Sequence, residues 1–201
     1  AFVHEDKIWL RNGKETAVCP TSAVQLRGQH NLSNVLAAVA LADSAGIPIE
    51  AIRRGIHEFT GVEHRLEPVR EHNGVRWIND SIATAPERAL AALNAFTEPI
   101  VLLAGGRDKE MVWDEWAARV TDRVKHVILF GDLADLLTEK LGQTGMKQLT
   151  RVDTLSEAVA AAAGTAVSGD IALLSPGGAS FDAFTDFAER GQKFRELVQD
   201  L

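Results

Sequence analysis

The period of the apolar residues changes along the chain. Over "AFVHEDKIWLRNGKETAVCP" apolar and polar residues alternate through Ile8, Leu10 and Val18, with Asn12-Gly13 between the runs, which predicts a β-hairpin. A hairpin alone is marginally stable, so this one is expected to pair with further strands or to pack on the helix that follows. "NLSNVLAAVALADSA", Asn31 to Ala45, has helical character and stops at Gly46 with Pro48 beyond. "PIEAIRRGIHEF" predicts a second helix, and the turn-rich "TGVEHRLEPV" places a domain boundary near Gly61.

Beyond that boundary strands and helices alternate. "HRLEPVREHNGVRWIND" reads as two strands around Asn73-Gly74, a strong hairpin dipeptide. "PERALAALNAF" is helical, with Ala89, Leu90, Leu93 and Phe96 on one side. "PIVLLAGG", "KHVILFGD" and "DIALLSPGG" are unbroken apolar runs, with a shorter strand at "KQLTRVD". Helices are expected at "WDEWAARVTDRV", "LADLLTEKL", "TLSEAVAAAAGTAV" with a Thr154-to-Glu157 capping box, and "FDAFTDFAERGQKFRELVQDL". Unalternating strands separated by helices indicate a mostly parallel sheet covered on both faces, a Rossmann-like α/β fold.

Composition narrows the function. The 201 residues are 46% hydrophobic and 24% charged, ordinary for a soluble globular chain. A formal net charge of −7 argues against a nucleic-acid partner, whose phosphates require a basic surface. No apolar run approaches the ~18 residues of a membrane span, and no secretory signal pattern opens the chain. The single cysteine, Cys19, fits a reducing compartment, and a cytoplasmic location is expected.

In α/β sheets ligands bind beyond the carboxyl ends of the strands, where "NDSIATAP", "AGGRDKE" and "SPGGASFD" lie. In "AGGRDKE", Gly105 and Gly106 permit close backbone approach to a ligand, and Lys109 is a point charge suited to a carboxylate or phosphate. Taken alone, the loop is better read as a glycine turn with solvated charges. In "SPGGASFD", a glycine turn running into a helix N-terminus offers an anion site, with Ser180 as helix cap or ligand contact. Phe181, Phe184 and Phe187, spaced three apart, read as a core face. Thr84 to Glu87 fits a capping box with Pro86 in the first turn, while Asn79, Asp80 and Ser81 exceed what one cap requires. In "RGQHNLSN", Asn31 or Ser33 is placed to cap the helix, and Gln29, His30, Asn31 and Asn34 offer more hydrogen-bonding groups than capping uses. The phosphate-binding pattern G-x-x-x-x-G-K-[ST] is absent from the entire sequence.

Together "LRGQHNLSNVLAAVALADSAGIP", "FTGVEHRLEPVREHNGVRWINDSIAT", "IVLLAGGRDK" and "LLSPGGASFDAFTDFAERGQKF", in this order over nearly the entire chain, resemble the Mur ligase family, most closely its MurD type. The resemblance implies that residues 1–61 are the C-terminal part of a central ATP-binding domain and 62–201 the amino-acid-binding domain that follows it. It implies ATP and Mg²⁺, held mainly by other parts of the central domain, and a carbamylated lysine there. No metal ligand is expected in this chain. The implied partners are UDP-N-acetylmuramoyl-L-alanine, glutamate and ATP, with no nucleic acid, no membrane and a monomeric enzyme. The implied reaction passes through an acyl phosphate, which the glutamate amine attacks. Without a P-loop the chain is expected to be inactive alone.

Residue by residue, the resemblance places His30, Asn31, Asn34, Arg65 and Asp80 at the nucleotide. It places Thr84 and Lys109 at the glutamate side-chain carboxylate, and Ser180, Phe181 and Phe187 at the other carboxylate. No catalytic residue is assigned to this chain. One position departs from the pattern: Ile82 stands where many members carry lysine. This leaves D-glutamate as the first reading and an L-glutamate-adding variant as an alternative, unless Arg107 supplies the charge. A non-catalytic binding module of the same fold is a further reading. The "NDS-x-AT" and "GASFD" loops argue against a folylpolyglutamate-type ligase.

Overall fold

The structure, a computed structural model, describes residues 1–201 as two compact units, 1–61 and 62–201. The first holds an antiparallel sheet of β1 (Phe2–His4), β2 (Lys7–Asn12) and β3 (Lys14–Pro20), followed by α1 (Gln29–Ser44) and α2 (Ile49–Glu58). The expected hairpin is β2–β3, closed at Gly13. A second tight turn at Glu5-Asp6, both with positive φ, adds β1, which the alternation pattern did not separate. Ile8, Leu10, Val18, Cys19, Val39 and Ile52 form the buried core of this unit. Arg53 of α2 locks onto β3 by donating to the carbonyls of Val18 and Ala17, each at 2.7 Å.

The second unit is a six-stranded sheet in the order β4-β5-β9-β6-β7-β8. Its strands are β4 (Glu67–His72), β5 (Val75–Asn79), β6 (Ile100–Gly105), β7 (His126–Phe130), β8 (Leu149–Arg151) and β9 (Ile171–Gly177). Only β4 runs antiparallel, joined to β5 through Asn73-Gly74 as expected. The helices are α3 (Pro86–Leu93), α4 (Asp114–Arg123), α5 (Ala134–Gln143), α6 (Leu155–Thr165) and α7 (Phe187–Gln199).

Residues of β6 alternate between two cores. Ile100, Leu102 and Ala104 pack with α3, α4 and α5, while Val101 and Leu103 pack with α6 and α7. The forward crossovers from β5 to β8 thus lie on one face. The return through α6 lies on the other, as constant crossover handedness demands when the direction reverses. The return inserts β9 between β5 and β6, so the loops after these three strands become neighbours at the carboxyl edge.

Two expected helix starts are displaced. Ala85 is the N-cap of α3 and gives no side-chain bond; Glu87 is then only the second helical residue, too early to close a capping box with Thr84. The last helix starts at Phe187, capped by Asp186, whose side chain accepts from the Glu189 N–H at 2.8 Å. Ser180 therefore caps no helix; its carbonyl accepts from the N–H groups of Ala183 and Phe184 in a preceding turn. The Thr154–Glu157 capping box of α6 forms as expected.

Candidate functional site

The three carboxyl-edge loops of the second unit are stitched to one another by backbone. Gly177 N–H donates to the Ala83 carbonyl at 2.8 Å, and Arg107 and Ala179 exchange N–H···O bonds at 2.8 and 2.9 Å. The glycines serve this stitching. A Cβ on Gly105 would stand 1.9 Å from the Phe130 carbonyl oxygen, and one on Gly106 would stand 2.1 Å from that of Ala179. Their φ values of +155° and +100° also favour glycine. Close approach to neighbouring backbone, not to a ligand, is the requirement the structure shows at both positions.

Asp80 is buried directly after β5, its backbone N–H on the Leu174 carbonyl. One carboxylate oxygen accepts from the Ser175 hydroxyl at 2.9 Å, the other from the Leu66 N–H at 3.1 Å. Burial pushes its carboxyl up to about 7, against the opposing pull of those two hydrogen bonds and of the Arg65 and Arg88 charges. Arg65, exposed beside it, follows His64, which is buried with φ +62°. The Asn79 amide is shared among His64 Nδ1 at 3.0 Å, Glu67 Oε2 at 3.1 Å and the Gly191 carbonyl at 3.2 Å. A side chain at Gly191 would strike the His64 ring, its Cβ only 2.3 Å from Nδ1. Asn79 and His64 thereby hold the ends of the segments that present Asp80 and Arg65.

Ser81 reaches α7. Its hydroxyl donates to the Phe187 carbonyl at 2.7 Å and accepts from Arg190 Nε at 3.0 Å. Arg190 is fully buried, and burial lowers its guanidinium to about 10. Its remaining bonds go to the carbonyls of Ser81, Gly178 and Ala179. No motif singles out this residue in the sequence, although Arg190, Phe194 and Val198 share one buried helix face at a spacing of four.

The remaining expected positions separate by exposure. Thr84 is half-buried, its N–H on the Ile82 carbonyl; Lys109 is exposed. Ser180 is buried, Phe187 half-buried with its ring edge-on to His64, and Phe181 is 60% exposed, so the expected aromatic core face does not form. Arg107 is exposed and pairs with Asp132 at 3.3 Å. In the first unit, Asn31 is buried and donates its side-chain N–H to the Arg27 carbonyl at 2.7 Å. Gly28 occupies the N-cap of α1, and Ser33 Oγ donates to the Gln29 carbonyl, so neither Asn31 nor Ser33 is the cap. His30 is half-buried and Asn34 exposed on the same helix.

This loop arrangement has counterparts among known proteins. The family model described as "Mur ligase, glutamate ligase domain" matches residues 64–178, which contain β4 through β9 and the loops after β5 and β6. The chain belongs to the Mur ligase family. Among relatives, this Mur ligase chain is 48% identical over 203 residues to the UDP-N-acetylmuramoylalanine–D-glutamate ligase of Symbiobacterium thermophilum, covering 100% of this chain and 45% of the relative. It thus spans less than half the length of the curated relatives it matches. In fold it resembles the UDP-N-acetylmuramate-alanine ligase MurC of Thermotoga maritima, at TM-score 0.67 and 21% identity, over 93% of this chain and 40% of that one. It also resembles the MurF ligase of Thermotoga maritima, solved in complex with ADP, at TM-score 0.63 and 16% identity, over 93% and 40%.

Proposed function

We propose that this chain is part of an ATP-dependent ligase that adds D-glutamate to UDP-N-acetylmuramoyl-L-alanine in peptidoglycan precursor synthesis. The observation that carries this reading is the 48% identity, over all of the chain, with a ligase named for D-glutamate. In this reading residues 1–61 contribute to the central nucleotide-binding domain and 62–201 receive the amino acid. The ATP γ-phosphoryl group moves to the terminal carboxylate, giving an acyl phosphate. The glutamate nitrogen then forms a bond to the carbonyl carbon, the C–O bond to phosphate breaks, and the amine loses its proton.

The chain's own residues bind and orient. Thr84 and Lys109 hold the side-chain carboxylate of glutamate; Ser180, the Phe181 backbone and Phe187 hold the other. A lysine charge at one end and neutral groups at the other fix a dicarboxylate so that its amine faces one direction, where proximity lowers the barrier. Asp80 and Arg65, and separately His30, Asn31 and Asn34, contact the nucleotide. No group of three or more His, Cys, Asp or Glu suited to a metal occurs in the chain. In this reading Mg²⁺ is held by parts of the relatives' chains that this one does not span. Mg²⁺ supplies charge neutralisation for the transferring phosphoryl group.

The test is a ligase assay on the full-length protein with ATP, UDP-N-acetylmuramoyl-L-alanine and either glutamate enantiomer, reading phosphate release and product mass. Turnover with D-glutamate alone is expected, and none from the 201-residue chain by itself. Turnover with L-glutamate only would make Ile82 the mark of the other variant. No turnover with either, in a folded protein, would favour a binding module.

A further inference from the structure

Arg190 is the point where the carboxyl-edge loops meet. It stands on α7, fully buried, among apolar neighbours on its own helix face. A guanidinium carries five N–H donors in a planar fork. Five contacts are present: Nε to Ser81 Oγ at 3.0 Å, Nη2 to the carbonyls of Ser81 at 2.9 Å and Gly178 at 3.2 Å, and Nη1 to the carbonyls of Gly178 and Ala179, each at 3.2 Å. None of these acceptors is a carboxylate. Asp182 is near enough for its charge to be felt but takes no hydrogen bond from Arg190.

We infer that Arg190 is a positioning residue for glutamate, fixing the spacing between the Thr84 loop and the Ser180 loop; this rests on the ligase reading above. One side of the fork holds Ser81, three residues before Thr84. The other holds Ala179, adjacent to Ser180 and stitched to Arg107 of the Lys109 loop. Ser81 Oγ also ties the first loop to the Phe187 carbonyl at 2.7 Å. Gly106 belongs to the same device, because a Cβ there would stand 2.9 Å from Arg190 Nη1. The groups assigned to the two glutamate carboxylates thus hang from one buried fork, which touches no substrate itself.

Lysine cannot replace it: an ammonium has three donors on a compact head and cannot span both loops. Arg190→Lys in the full-length ligase should raise KM for glutamate by roughly tenfold or more, since small misplacements of substrate-gripping groups carry penalties of this order. KM for ATP and for the UDP substrate should change by less than about twofold, because the fork does not touch their assigned contacts. Ser81→Ala removes one acceptor and the Phe187 tie while keeping the backbone carbonyls. It should lower the thermal midpoint, because Arg190 Nε and the Phe187 carbonyl lose a buried partner, yet leave a folded protein whose glutamate KM is raised a few-fold, and it decides the matter if Arg190→Lys does not fold. An unmoved glutamate KM in the folded variants, or an equal rise for all three substrates, would overturn the inference. A parent enzyme without glutamate turnover would bring down the ligase reading and this inference together. Parental turnover with an unmoved glutamate KM brings down only the inference.

Discussion

Asp80 shows how burial sets the behaviour of one side chain. Its sequence context, a polar triplet after an apolar strand, marked it for chemistry. The context did not show that Ser175, 95 positions later, would donate to it, since that contact exists only once β9 lies beside β5. Its raised carboxyl has a definite effect on stability. An unfolded chain releases this proton near pH ~4, the folded chain only near 7, so the folded state binds more protons between those values. Stability contributed by this group is therefore full at low pH, falls as pH rises through that window, and stays lower by up to a few kcal/mol above it. Asp80→Asn, which keeps a carbonyl for the Leu66 N–H, should flatten that component. The difference in thermal midpoint between variant and parent should favour the variant progressively from about pH 4 to about pH 7, then level off. Calorimetry across that range checks this; a constant offset would mean that Asp80 does not titrate there.

The elements were legible where local chemistry decides them. The unalternating runs at Ile100–Gly105, His126–Phe130 and Ile171–Gly177 became buried strands because both faces of the sheet are covered. Asn73-Gly74 made its turn because both residues adopt positive φ. Helix starts were less legible because several polar residues compete for each cap. Asp186 accepts from the Glu189 N–H, and Glu189 Oε2 accepts from the N–H of Thr185, one residue before the cap; together they place the start of α7 well past Ser180. At α6 the capping box read from the sequence forms: Thr154 accepts from the Glu157 N–H at 3.2 Å, while Glu157 Oε2 accepts from the Thr154 N–H at 3.1 Å and from the Asp153 N–H at 2.9 Å. Thr154→Ala should lower unfolding free energy by about 1 kcal/mol and leave glutamate KM unchanged. Denaturant titration beside the ligase assay tests both halves.

At the scale of the molecule, the strand order was the least legible feature. Nothing in the apolar runs says that the last strand inserts between β5 and β6 instead of extending the edge, since that choice is made by long-range pairing. The insertion is what makes three loops into one candidate site. No helix is long and apolar enough to cross a membrane, in keeping with the absence of a long apolar run in the sequence. The fork of Arg190 also has an electrical consequence. The guanidinium donates hydrogen bonds only to neutral oxygens, Asp182 acts on it through charge alone, and it sits beneath the loops assigned to a dianion, shielded from dissolved counterions. Exposed charges lose most of their influence over a Debye length of ~10 Å at 0.1 M salt, whereas buried ones are screened far less. Raising salt from about 20 to about 200 mM should therefore move glutamate KM by less than about threefold. A tenfold rise would show that the exposed Lys109 alone draws the substrate in. On the proposed reading, the buried fork gives the glutamate seat an electrostatic well whose depth is set by the fold and not by the surrounding electrolyte.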